Sequence, residues 1–208
     1  NDMPKITASR EYRSMNPLAV LQRSQDDEAA YRAEGYATTF DVPYILFEMN
    51  GVKYYEQISS NALDSADVSD VVFRFDHTGH VYARTKNGTL TLAPDGHGLK
   101  CSVDLSTTEA ARQMHDEIRT GLIDKMSWAF TVAEDSYNSE TRTRTILKIK
   151  KVYDVSAVIF PADADTDISA RSFVDGVIAK ETAERLERRR KAMSMLIDSY
   201  IGTEKEKE

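Results

Sequence analysis

Serine, histidine and aspartate together can run acyl transfer. A hydroxyl attacks a carbonyl, a neutral imidazole takes its proton, and a carboxylate holds the imidazole in the right tautomer. Three residues of this chain stand where such a set could be built. Ser127 lies in Lys125-Met126-Ser127-Trp128-Ala129-Phe130, at the start of a strand-like run. Alternation places Met126, Trp128 and Phe130 on one face and the small pair Ser127 and Ala129 on the other, leaving room for a substrate backbone. His77 lies in Arg74-Phe75-Asp76-His77-Thr78-Gly79, where a strand enters a turn. Asp154 lies in Val152-Tyr153-Asp154-Val155-Ser156-Ala157-Val158, inside an otherwise apolar strand. A carboxylate there is costly unless paired, and an imidazole is a natural partner.

Each of these residues also has a plainer reading. Ser127 alone fits a serine on a half-exposed strand, and Asp154 alone fits a strand-edge aspartate in water. The chain has four histidines, His77, His80, His97 and His115, and each fits a solvent-facing or core-edge position. Asp76, His77 and His80 suggest a metal pair, but residues three apart on a strand point to opposite faces unless the turn intervenes. No further Cys or His cluster completes such a site. Neither a metal nor a cofactor is called for.

The elements that would position the three residues are mostly strands. Gly35–Phe40, Tyr44–Met49 and Val52–Ile58 read as strands, with Asn50-Gly51 between the last two as a type I′ hairpin signal. Val71–Phe75 and Val81–Thr85 flank Asp76-His77-Thr78-Gly79. Thr89–Leu92 follows the turn pair Asn87-Gly88, and Leu99–Leu105 follows Pro94, Asp95 and Gly96. Ser106-Thr107-Thr108-Glu109 has capping-box spacing and predicts a helix whose apolar face is Ala110, Ala111, Met114, Ile118 and Leu122. Met126–Ala133, Thr143–Lys151 and Val152–Phe160 read as three more strands, the last halted by Pro161. The tail Val177–Ile201 is helical, with Leu186, Met193, Leu196, Ile197 and Tyr200 in one stripe. The polar segment before Glu34 reads as an arm with little core of its own.

Bulk properties narrow the function classes. The chain has 208 residues, 41% of them hydrophobic, enough for one sizeable domain with appendages. A net charge of -7 argues against a nucleic-acid grip, which needs a concentrated basic surface. The one basic run, Arg185 to Lys191, is interleaved with Glu181, Glu184 and Glu187 and reads as a solvated helix face. Cys101 is the single cysteine, so no internal disulfide forms, which fits a reducing compartment. No apolar stretch approaches a membrane span, and the N-terminal segment lacks the apolar run of a signal peptide. A soluble intracellular protein is expected.

Ordered motifs add a resemblance. Glu34-Gly35-Tyr36-Ala37 with Phe40-Asp41 opens the set, followed by Phe75-Asp76-His77 and Ala83-Arg84-Thr85-Lys86-Asn87-Gly88-Thr89-Leu90. Met126-Ser127-Trp128-Ala129-Phe130 and Asp154-Val155-Ser156-Ala157-Val158-Ile159-Phe160-Pro161-Ala162 complete it. In this order they resemble the tailed-phage prohead (capsid-maturation) serine proteases, relatives of the herpesvirus assemblins, whose triad has a second histidine where this chain has Asp154. Asp76 and Thr78 depart from the family's Asn and Asp around the histidine. Trp128 and Ala129 replace a smaller aromatic and a glycine. The histidine loop is also slightly short, which keeps His80 as a second candidate base.

The resemblance implies an α+β, mostly β fold: an antiparallel β-barrel of assemblin-like type with surrounding helices. It divides the chain into an N-terminal arm or propeptide-like segment at 1–33, a protease barrel at 34–170 and a C-terminal helical extension at 171–208. It implies Ser127 as nucleophile, His77 as general base, Asp154 as orienter, and oxyanion donors at the backbone of Ala162 and Asp163. The implied substrates are scaffold segments and capsid-protein precursor, and the chain itself, inside the immature procapsid in the host cytoplasm. The C-terminal stripe suits self-association or scaffold binding, or simple packing onto the barrel. The alternatives are a non-catalytic protease-like barrel acting as a capsid assembly or scaffold module, and a small β-barrel that binds a ligand or partner.

Overall fold

A computed structural model describes residues 10–17, 19–20, 31–159 and 168–205. In chain order its strands are β1 (Glu11–Pro17), β2 (Ala19–Val20), β3 (Arg32–Thr39), β4 (Tyr44–Met49), β5 (Val52–Ile58), β6 (Val72–Phe75), β7 (Thr78–Arg84), β8 (Leu90–Pro94) and β9 (Gly98–Asp104). Helix α1 (Glu109–Arg119) precedes the two long strands β10 (Lys125–Asn138) and β11 (Thr143–Val158), and α2 (Ile168–Lys205) follows. The protein is mostly β with helices, an α+β fold. The strands form two sheets. The larger runs β1-β10-β11-β5-β4, with the β6–β7 hairpin attached to β11; the smaller runs β2-β3-β9-β8. Among the described residues both sheets are open, and no strand pairing closes either into a barrel.

Local chemistry explains most of the elements. Asn50 and Gly51 both have positive φ, 52° and 75°, as a type I′ turn between β4 and β5 requires. Helix α1 starts two residues later than the Ser106 capping box implies. Thr108 is the N-cap, its hydroxyl accepting from the Ala111 N–H at 3.0 Å, because Ser106 is instead tied back to the Asp104 carboxylate through its own N–H. Ala111, Met114 and Ile118 enter the core as the apolar spacing requires, whereas Leu122 lies beyond the helix and is exposed.

Thr143–Val158 is one strand rather than the two, Thr143–Lys151 and Val152–Phe160, expected from sequence. Its partner changes along its length: Thr143–Ile146 pairs with β5 in parallel and Asp154–Ala157 pairs with β6 in parallel. Between these stretches the loop after β5 continues the ladder, with the Asp67 N–H donating to the Lys150 carbonyl and the Val152 N–H to the Asp67 carbonyl. The lysines are accommodated at the edge, Lys150 exposed and Lys151 Nζ 2.7 Å from Asp67 Oδ2. The continuous strand holds β6, and the turn after it, on the edge of β11 opposite β10, one strand away from Ser127.

One core joins both sheets and α1. Trp128, Phe130, Met126, Val155 and Ala157 of the large sheet meet Ala37, Leu99, Cys101 and Val103 of the small one. Fully burying side chains of this size stabilises by about 1.5–3 kcal/mol each. A second, smaller cluster seats Val177 of α2 on Leu46, Phe47 and Tyr54. Beyond that contact Glu181 accepts from the Tyr137 hydroxyl at 3.4 Å, and the described residues from 182 to 196 are exposed. Leu186, Met193 and Leu196 are exposed, and Arg188–Glu184 and Lys191–Glu187 pair along the surface. The side chains of Ile197 and Tyr200 lie outside the described residues. These described members of the stripe are not packed onto the sheets. Among the described residues no helix is long and apolar enough to cross a membrane.

The described part of the segment before Glu34 is built into the sheets, more than a polar composition implies. Strand β1 pairs antiparallel with β10, placing Ser14 opposite Ser127 and Arg13 opposite Trp128. Glu11 and Arg13 are buried there because each finds opposite charge on the large sheet.

Candidate active site

The site is assembled on three neighbouring strands and one turn. Ser127 on β10 is registered with Ser156 on β11, and Ala129 with Asp154. Direct cross-strand partners share a face, so Ser127, Ala129, Asp154 and Ser156 look out on the side away from Trp128 and Phe130. The alternation read from sequence holds around Ser127. Both faces are nonetheless buried, since Met126, Ser127, Trp128, Ala129 and Phe130 are all inaccessible.

His77 arrives from the β6–β7 turn. Asp76 and His77 have φ of 47° and 56°, so two non-glycine residues occupy the left-handed region side by side. Such backbone costs on the order of 1–3 kcal/mol per residue and persists where surrounding contacts hold it. Those contacts are present. The Asp76 N–H donates to the Ala157 carbonyl at 3.0 Å, Arg74 Nη1 donates to the His77 carbonyl at 2.9 Å, and the His77 N–H donates to Ser156 Oγ at 3.2 Å. The imidazole is thereby carried over the polar face of the sheet, where the edge of the Tyr12 ring also packs on it, centroids 4.7 Å apart.

The three residues singled out from sequence meet in one chain of hydrogen bonds. His77 Nε2 is 2.6 Å from Ser127 Oγ, and His77 Nδ1 is 2.5 Å from Asp154 Oδ1. With the Nδ1 proton donated to the carboxylate, Nε2 presents a lone pair to the hydroxyl. Asp154 is buried and also accepts from Ser156 Oγ at 2.9 Å. Ser127 Oγ has a second acceptor, the Arg13 carbonyl of β1 at 3.0 Å, so its single proton has two possible destinations. This arrangement can activate a hydroxyl for attack on a carbonyl and hold the resulting imidazolium.

The remaining candidates lie elsewhere. His80 on β7 is exposed and packs edge-on with Tyr82. His97 is exposed beside Tyr36, and His115 is buried on α1 against Tyr31, where burial pushes its pKa down. Cys101 is sealed in the core, its thiol pushed up to about 12 by burial and then by Glu34, which makes it a poor nucleophile. Ala162 and Asp163 lie outside the described residues. Among the described residues no group of three or more His, Cys, Asp or Glu side chains is placed to hold a metal.

Two features escape a reading by motif. Ser156 shares the strand parity of Asp154, two residues on, and that parity is the signal that marks it as a neighbour of the carboxylate. Glu11, Arg13, Glu56 and Arg144 form a buried ion cluster beside the site. Arg13 Nε is 2.5 Å from Glu56 Oε1, Arg13 Nη2 is 2.6 Å from Glu11 Oε2, and Arg144 Nη1 is 2.7 Å from Glu11 Oε2 and 2.9 Å from Glu56 Oε2. Tyr44 donates its hydroxyl to Glu56, and Arg144 Nε reaches Asp135 at 2.6 Å. Burial alone would raise the Glu56 carboxyl, but the charges of Arg13 and Arg144 outweigh it and hold the group at about 2. The Tyr44 phenol is raised well above its ordinary value, first by burial and then by the Glu56 charge.

No curated protein and no solved structure matches the chain. The sequence model of one family does match, over residues 19–181, a span that contains Ser127, His77 and Asp154 together with the strands that carry them. On that match the chain belongs to the caudovirus prohead serine protease family.

Proposed function

We propose that this protein is an active serine endopeptidase in which Ser127 is the nucleophile, His77 the general base and Asp154 the residue that orients His77. The observation that carries this reading is the unbroken chain Ser127 Oγ–His77 Nε2, His77 Nδ1–Asp154 Oδ1, at 2.6 and 2.5 Å. Ser127 Oγ attacks the scissile carbonyl carbon while its proton passes to Nε2. Asp154 stabilises the imidazolium that forms, and the imidazolium then protonates the leaving amine. Water attacks the acyl-Ser127 ester with His77 again as base. The developing oxyanion needs donors aimed at it, and the assemblin likeness assigns these to the backbone N–H groups of Ala162 and Asp163. The same likeness extends the fold to an assemblin-like barrel, with 34–170 as the protease domain, 1–33 as an arm and 171–208 as a helical extension.

Family membership ties the substrate to the prohead in general. Within that setting the proposed substrates are scaffold segments and the capsid-protein precursor, with self-cleavage during capsid maturation inside the procapsid of the infected host. The exposed stripe Leu186, Met193 and Leu196 is the proposed surface for self-association or scaffold contact.

One observation favours a second reading. Ser127 has no exposed surface and its hydroxyl is against the Arg13 carbonyl, so this segment has to give way before any substrate carbonyl can arrive. A chain that never releases it would serve as a non-catalytic assembly module. Intact mass followed over time separates the two. The parent chain trims itself or a co-incubated capsid precursor, and Ser127→Ala does not. Equal behaviour of both proteins removes Ser127 as nucleophile. A parent that cleaves nothing and ignores a serine-directed phosphonate, even with scaffold present, supports the module.

A further inference from the structure

Resting on the serine-peptidase reading, we infer that Ser156 is a positioning residue for the catalytic chain: its hydroxyl ties the Asp154 carboxylate to the His77 backbone and locks the imidazole in the tautomer that can receive the Ser127 proton.

The geometry carries this through a count of donors and acceptors. A serine hydroxyl has one proton and two lone pairs. Ser156 Oγ is fully buried and has three polar neighbours: Asp154 Oδ1 at 2.9 Å, the His77 N–H at 3.2 Å and His77 Nδ1 at 3.2 Å. The His77 N–H can only donate, so one lone pair of Ser156 accepts from it. The Ser156 proton therefore goes to the carboxylate, which can only accept. Both oxygens near Nδ1, the carboxylate and the second lone pair of Ser156, then favour a proton on Nδ1. Nε2 is left as the acceptor facing Ser127.

Ser156 also acts on the backbone. His77 is held at φ 56°, a conformation a histidine does not keep without support, and Ser156 and Arg74 are the groups that bond its N–H and its carbonyl. A residue filling space between two strands would need none of this. Register supports the assignment as well, because Ser156 lies directly opposite Ser127 on one side and Arg74 on the other.

The test uses the full chain and a matched pair of β-branched variants, Ser156→Thr and Ser156→Val, with Ser156→Ala as a third. Threonine keeps the hydroxyl and valine removes it at nearly equal volume, so their difference isolates the oxygen. Two readouts are taken: kcat and KM on a capsid-precursor peptide, and the proton NMR signal of the His77 Nδ1–H with its exchange rate into water. We expect Ser156→Val and Ser156→Ala to lose about tenfold to a hundredfold in kcat with KM unchanged. In both, the Nδ1–H signal should broaden or exchange away while Ser156→Thr retains it. If valine and threonine variants match in kcat and in the Nδ1–H signal, Ser156 is packing only and the inference is overturned. The NMR readout needs no turnover. A parent that does not cleave sinks the peptidase reading while still deciding whether Ser156 sets the tautomer.

Discussion

Arg13 touches two buried polar clusters that are built in opposite ways. Its backbone carbonyl meets Ser127, whose cluster holds one carboxylate, one imidazole and two hydroxyls. Its guanidinium meets the other cluster, in which two arginines lie among Glu11, Glu56 and Asp135. In the first cluster the Ser127 proton has a choice of acceptors, and that choice is a capacity for chemistry. In the second, each arginine is bonded to two or more carboxylates, and Glu56 takes bonds from both arginines and from Tyr44. A buried ion cluster of that kind adds little net stability over an apolar replacement, but breaking it is costly because a charge is left behind. The contrast teaches that burial alone does not mark an active site. An under-committed proton next to a held imidazole is what singles out the Ser127 cluster as the candidate.

The same kind of substitution should therefore act differently in the two places. Asp154→Asn lets the amide donate to Nδ1, which moves the imidazole proton to Nε2 and takes away the acceptor for Ser127. We expect kcat/KM to fall by about 10³–10⁴-fold with little change in thermal midpoint. Steady-state kinetics and a melting curve check both halves, and a large stability loss with normal kcat would reverse the comparison. Glu56→Ala should do the opposite. It leaves the two guanidiniums sharing Glu11, with Asp135 on Arg144 alone, and an excess of buried positive charge that costs about 3–5 kcal/mol in denaturant unfolding. Because Arg13 anchors β1, labelling of Ser127 by a small phosphonate should speed up in the fraction that remains folded. Unchanged stability would mean that water or another group already satisfies the arginines.

The two clusters also differed in how far the sequence disclosed them. Ser127, His77 and Asp154 each stood at a suggestive place (a small residue on a strand, the mouth of a turn, a carboxylate among apolar residues), but each also fitted a plainer reading, and the ordered motifs around them were what singled them out together. The Asn50-Gly51 hairpin and most strands were legible for similar local reasons. The ion cluster was not, since its members come from β1, β5, β10 and β11 and only tertiary pairing makes them neighbours. A trace was present all the same. Glu56 shares parity with the buried Tyr54 and Ile58, and Arg144 with the buried Ile146, so opposite charges stood on apolar faces. Strand β1 was hidden for the same reason. Glu11 and Arg13 read as solvated until their partners are known.

Acid should separate the clusters without any mutation. The folded Glu56 carboxyl is held at about 2 against an ordinary 4.5, so its contribution is fully present above 4.5 and is lost as pH falls toward 2. The expected loss is on the order of a few kcal/mol across that interval, read as a falling denaturant midpoint. In Glu56→Gln this part of the pH slope should vanish. A slope that survives in the variant would assign the acid sensitivity to other carboxylates.

The smallest effect belongs to the rim of the ion cluster. Asp135 bonds Arg144 Nε at 2.6 Å but keeps some solvent contact, and Arg144 retains Glu11 and Glu56 when that bond is lost. Asp135→Asn keeps an amide oxygen that can still accept from Arg144, and should therefore cost only about 1 kcal/mol, within the range of a single ordinary hydrogen bond. It should leave phosphonate labelling of Ser127 at the parent rate, because β1 is anchored through Arg13 and Glu11 rather than through Asp135. Labelling as fast as in Glu56→Ala would mean that Arg144 itself, and not the Arg13–Glu56 contact, holds β1 against Ser127. The boundary between the two clusters would then lie one residue deeper in the sheet.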